Sequence, residues 1–114
     1  MGYNIYITRA EDIYENEDSR ISLKEWKDII RADNELEAID KLETTLPNGL
    51  ILSQEQEGMA IWEYTIENEK QKIYLLYSDG NIFSKYGDMM MINKMKKIAI
   101  KLQAKVIGEE GEVY

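Results

Sequence analysis

The chain has no cysteine and no histidine in its 114 residues, and only one proline and one phenylalanine. Without cysteine there is no disulfide, no thiolate nucleophile, no zinc ribbon and no iron–sulfur cluster. Without histidine the commonest general base and the commonest transition-metal ligand are gone, and the serine–histidine and cysteine–histidine hydrolases go with them. Carboxylates, tyrosines, lysines and hydroxyls remain for catalysis, with or without a hard cation such as magnesium. Long apolar runs are also missing. None approaches the ~18–20 residues of a membrane span, and Met1–Thr8 lacks the basic and apolar regions of a signal peptide. The expected location is the cytoplasm.

What is present is charge of predominantly one sign. Asp and Glu number 22 against 14 Lys and Arg, a net charge of −8. Such a surface repels nucleic acid and anionic membrane and releases no counterions on meeting them, so neither is an expected partner. A basic protein is. The charge is also uneven. Asp33–Glu69 carries ten acids and one lysine, whereas Lys85–Lys105 carries six lysines and one acid. A hydrophobic fraction of 44% is too high for a disordered chain, and the length fits a single domain spanning residues 1–114.

Tyr3–Arg9 alternates Ile5 and Ile7 with Tyr6 and Thr8 and reads as a strand; Tyr6 makes its second face semi-apolar, as in a covered or central strand. Residues 10–20 form an acidic connection read as an exposed loop, with Ile13 and Tyr14 its few apolar members. Ser22 and Glu25 make a capping box, with Ile21 and Trp26 at the staple positions. Leu23, Trp26, Ile29 and Ile30 then share one face of a helix over Leu23–Ala32. Residues 34–46 support two readings. Leu36, Ile39 and Leu42 recur at helical spacing, while Glu43–Leu46 looks extended. A hairpin closing at Pro47–Gly49 is the favoured one.

Leu50–Leu52, Met59–Ile66, Gln71–Tyr77 and Ile82–Lys85 read as strands, with turns at Glu67–Lys70 and at Asp79-Gly80. Asp88 caps a second helix whose core face is Met91, Ile92, Met95, Ile98, Ala99 and Leu102. Lys94, Lys97 and Lys101 form a basic stripe on another face, able to pair with the acidic segments or with a second copy of the chain. Ala104–Ile107 is a last short strand before the turn Gly108–Gly111. Long runs of strands between two helices predict an α+β fold: one mixed, mostly antiparallel sheet with two helices packed on it, in the order β-α-β-meander-α-β.

The most singular cluster is Glu109, Glu110 and Glu112 followed by Tyr114. It could ligate a hard cation, dock a basic partner, or form a solvated turn. Glu15, Glu17 and Asp18 make a second acidic cluster whose spacing does not follow a calcium loop. Both clusters are candidate binding residues. No catalytic residue, metal site or cofactor is assigned.

Gly80-Asn81-Ile82, Lys85, Asp88, Lys94-Met95, Ile98-Ala99, Leu102, Ala104-Lys105-Val106 and the closing Gly108-Glu109-Glu110-Gly111-Glu112-Val113-Tyr114 resemble a family of small, uncharacterised bacterial proteins that end in Gly-Asp-Asp-Gly-Glu-x-Tyr. The opening Tyr3-x-Ile5-x-Ile7-Thr8-Arg9-Ala10-Glu11 and Ser22-Leu23-x-Glu25-Trp26 are similar to it as well. The likeness covers residues 3–35 and 47–114. It departs at Glu109 and Glu110, where aspartates are usual, and at Tyr86-Gly87, where Asn-Pro is usual. The resemblance implies a compact α+β protein of the cytoplasm and supplies no activity.

The leading expectation for function is a small acidic, non-enzymatic protein-binding protein, most concretely an immunity or inhibitor protein for a basic toxin or enzyme. A carboxylate-based enzyme, with or without magnesium, is the alternative. A structural homodimer is the third reading.

Overall fold

The computed structural model describes residues 3–11, 19–85 and 88–114, except for the side chain of Leu42. In chain order the elements are β1 (Asn4–Thr8), α1 (Leu23–Ala32), β2 (Leu36–Thr45), β3 (Ile51–Ile66), β4 (Glu69–Ser78), β5 (Asn81–Lys85), α2 (Met89–Lys101) and β6 (Lys105–Gly108). The strands form one sheet in the order β2-β3-β4-β5-β1-β6, and a single bridge between Ile107 and Val113 adds the C-terminal residues to its edge. Every described strand pair is antiparallel. The α+β expectation therefore holds. β1 lies between β5 and β6, the inner position its apolar second face predicted.

Local chemistry sets the helix ends. Ser22 accepts from the Glu25 amide while Glu25 accepts from the Ser22 amide, each at 3.1 Å, so the capping box closes reciprocally. Asp88 extends its carboxylate to the Met91 amide at 2.9 Å and starts α2 one residue later. Two hairpin turns place both central residues at positive φ: Glu67-Asn68 between β3 and β4, and Asp79-Gly80 between β4 and β5.

Residues 34–46 resolve as strand from Leu36 onward, and β3 runs unbroken from Ile51 rather than as two pieces. The helical spacing of Leu36, Ile39 and Leu42 yields to the ladder with β3. Its register shifts where Asp40 alone faces Gln56, Glu57 and Gly58, a bulge at the middle of β3.

Both helices lie on the face that carries Ile5, Ile7, Trp62, Ile73, Leu75, Ile82 and Val106, with α1 over β2 and β3 and α2 over β1 and β6. Trp26, Met91 and Met95 are fully buried between the layers, as their helical spacing predicted. Each fully buried side chain of this size contributes about 1.5–3 kcal/mol. Met89 and Met90 are exposed, outside that core. The strand aromatics divide between the faces: Trp62, Tyr64 and Tyr77 have the parity of the helix-covered face, and Tyr74 that of the opposite one.

Candidate functional site

The C-terminal turn is built from backbone outward. The Gly108 amide donates to the Glu112 carbonyl at 2.9 Å, the Gly111 amide to the Gly108 carbonyl at 3.0 Å, and the Tyr114 amide to the Val106 carbonyl at 2.9 Å. The Glu112 carboxylate folds back over this turn. It accepts from the Tyr3 hydroxyl and, at 3.2 Å, from the Glu110 amide. A Cβ on Gly108 would lie 2.2 Å from that carboxylate, so only glycine admits the arrangement. Burial, with the Glu112 bond second, pushes the Tyr3 hydroxyl up to about 12, and the same bond holds the Glu112 carboxyl below its ordinary range.

Of the four C-terminal candidates, Glu112 and Tyr114 thus tie the chain end to its beginning and to β6. Glu109 is half-buried, Glu110 is exposed, and neither forms an ion pair among the described residues. Glu15, Glu17 and Asp18 lie outside the described residues. Among the described residues no group of three or more Asp or Glu could hold a metal ion.

Lys94 departs from the basic stripe in which its spacing places it. Its ammonium is buried, 2.8 Å from Asp33 and 2.6 Å from Glu35, and 5.7 Å from the Trp62 ring centre. It sits three residues after Met91 and four before Ile98, on the border of the core face rather than outside it. Trp62 stacks on Tyr64 at 4.2 Å between ring centres, and the Tyr64 hydroxyl donates to Asp88 at 2.7 Å. Burial, aided by Asp88, pushes the Tyr64 hydroxyl up to about 12. The chain from Asp33 through Lys94, Trp62 and Tyr64 to Asp88 links the end of α1 to the start of α2. Lys97 and Lys101 line a shallow hollow beside it.

No family model, no curated protein and no solved structure matches the chain. The motif resemblance therefore assigns no family, and the functional reading rests on the molecule's own geometry. No helix among the described residues is long and apolar enough to cross a membrane.

The hairpin favoured at Pro47–Gly49 is present, but the sequence does not show that it projects as an arm. Beyond the bulge, Lys41–Thr45 of β2 pairs with Ile51–Glu55 of β3, whereas β4 pairs with β3 only from Ala60 onward. The arm is a two-stranded ribbon, closed by the Leu46 amide on the Leu50 carbonyl at 2.7 Å and by Asn48 capping the Leu50 amide at 3.1 Å. At its tip Leu50, Ile51 and Leu52 are 61%, 61% and 57% exposed. Glu43, Glu55 and Glu57 stand exposed along its length. Three consecutive aliphatic residues after a Pro-Asn-Gly turn were the available signal. They read as an ordinary strand because nothing local tells a covered strand from a bare one.

The root of the arm is anchored. The Trp26 indole donates to the Gly58 carbonyl at 2.8 Å, the Gln56 amide group donates to the Tyr77 carbonyl at 2.8 Å, and Lys27 meets Glu57 at 2.9 Å.

Proposed function

We propose that the protein is a non-enzymatic protein-binding protein that takes a basic partner on its β2–β3 arm, most concretely an immunity or inhibitor protein for a basic toxin or enzyme. The observation that carries this reading is the tip: three consecutive aliphatic side chains held in solvent on a ribbon that no other element covers among the described residues, flanked by acids. Exposed aliphatic clusters rimmed by charge mark interaction sites. The flanking acids and the overall −8 would steer a cationic partner and speed its approach, and the apolar tip would supply the desolvated centre of the contact. Glu109, Glu110, Glu112 and Tyr114 stay with this reading as an acidic second patch.

The test is capture from the native host on the immobilised chain, at low and at normal salt, beside a variant carrying Leu50→Ser, Ile51→Ser and Leu52→Ser. The expected result is a basic protein retained by the parent, lost by the variant and weakened by salt. Recovery of no partner at either salt would overturn the proposal, as would a partner that the variant binds equally well. Light scattering at two concentrations separates a foreign partner from self-association.

A further inference from the structure

The sheet forks where β4 leaves β5. Leu76 pairs with Phe83, but the preceding residues of β4 turn away to pair with β3, starting at Leu75 opposite Ala60. β5 meanwhile continues against β1, with Ser84 opposite Ile5 and Lys85 opposite Asn4. The gap opens into a cavity of about 580 Å³, within the range of about 300–1,000 Å³ typical of small-molecule sites.

Its lining divides by chemistry. Met59, Ile73, Leu76 and Phe83 supply apolar walls, and Asn4, Gln54, Gln71 and Ser84 supply neutral hydrogen-bonding groups. Lys72 and Lys85 line it as well, and both are exposed. Lys85 forms no ion pair among the described residues, and Lys72 has only Glu63, at 3.5 Å. Asp88 is the one acid among the described lining residues, and it is occupied. One carboxylate oxygen accepts from the Tyr64 hydroxyl and the other from the Met91 amide. In a chain of net charge −8, two lightly engaged cations at one apolar cleft run against the overall field.

We propose that this fork binds a small apolar carboxylate of the aromatic-acid class. Its ring lies against Leu76 and Phe83, and its carboxylate lies between Lys72 and Lys85. Apolar walls hold the ring by burial. The lysines select the anion over its uncharged counterpart, because only the charged group gains from them. The site lies mainly on β4 and β5 and meets the arm at Gln54, away from the Leu50–Leu52 tip, so the tip's partner leaves it open.

Amide-detected NMR tests the proposal with benzoate and naphthoate as probes and naphthamide as the uncharged match. The expected result is saturable shifts at Leu76, Phe83, Ser84 and Lys85 with naphthoate in the millimolar range. The Lys72→Gln, Lys85→Gln double variant is expected to bind naphthoate about tenfold more weakly, the scale of two exposed charge pairs, with naphthamide changed less than about twofold. Both substitutions are at exposed positions, and an unchanged spectral dispersion confirms that the variant is folded. Should the double variant lose its fold, Lys85→Gln alone carries the comparison. Absence of saturable shifts with either acid overturns the proposal. So do shifts centred on other elements, and so does equal weakening of naphthoate and naphthamide.

Discussion

Lys94 shows how a single buried charge is made tolerable and what its removal would do. Its ammonium is taken out of water, which disfavours the charged form. Asp33 and Glu35 outweigh that penalty and leave Lys94 titrating above an ordinary lysine, while Asp33 is held below an ordinary aspartate. The signs follow by linkage. The raised Lys94 contributes stability that is fully present below the ordinary lysine value and is lost as pH rises through its own. The depressed Asp33 contributes stability that is present above the ordinary aspartate value and is lost as pH falls through its own. Lys94→Met leaves the Asp33 side chain, only 8% exposed, without its cation. A cost of about 3–5 kcal/mol is expected in urea unfolding, the scale for breaking one side of a buried pair. The double variant Lys94→Met, Asp33→Leu is expected to regain most of it, because no buried charge is left uncompensated and Glu35, 62% exposed, is hydrated by solvent. A single variant within about 0.5 kcal/mol of the parent would show that water reaches the pair. Pairing of the basic stripe with the acidic Asp33–Glu69 segment is legible in the sequence, but which residues meet is not. Helical spacing groups Lys94 with Lys97 and Lys101, and its partners stand about sixty positions away, beyond the reach of any local pattern.

At the scale of elements, legibility followed the range of the forces. The bounds of α1 are legible because Ser22, Glu25 and the apolar stripe after them act within one or two turns. Ser22→Ala is expected to cost about 1 kcal/mol, measured by thermal or urea unfolding. Glu25 carries a further load. Its bond to Arg9, with the Ser22 amide second, holds its carboxyl down at about 2, so stability tied to it is present at neutral pH and drains as pH falls from the ordinary range toward that value. The continuity of β3 is not legible because Ser53-Gln54-Glu55-Gln56-Glu57 is polar at every position and offers no alternation to detect. Gly58 is the hinge of that strand. It holds φ at +83°, and a Cβ there would come within 2.9 Å of both Leu23 Cδ1 and Tyr77 Cβ. Gly58→Ala is therefore expected to destabilise by about 1–3 kcal/mol, from the backbone preference and the overpacking together. A neutral outcome in urea unfolding would mean that the bulge rebuilds without loss.

For the molecule as a whole, the arm and the closed body have different claims on the free energy. The Cα radius of gyration is 14.4 Å and the extents are 43 × 32 × 30 Å, somewhat larger than the radius of about 13 Å expected for a compact chain of this length. The core cluster draws on both helices and on all six strands, yet it includes no residue of the ribbon beyond Leu36 on β2 or before Ala60 on β3. Two-stranded ribbons are marginal by themselves. Amides of Glu43, Thr45, Ile51 and Ser53 are therefore expected to exchange with solvent through local opening. Those of Ile7, Leu75 and Ile82 should exchange only on global unfolding. Cutting the arm tests the same partition. Joining Leu42 to Gln54, which face each other in register, through Asn-Gly removes the tip and restores a two-residue hairpin. The shortened protein is expected to unfold cooperatively within about 1 kcal/mol of the parent, to scatter as a smaller particle, and to lose the basic partner. A loss of several kcal/mol would instead show that the tip contributes to the body, and the exposure of Leu50, Ile51 and Leu52 would then need a structural reason rather than an interaction.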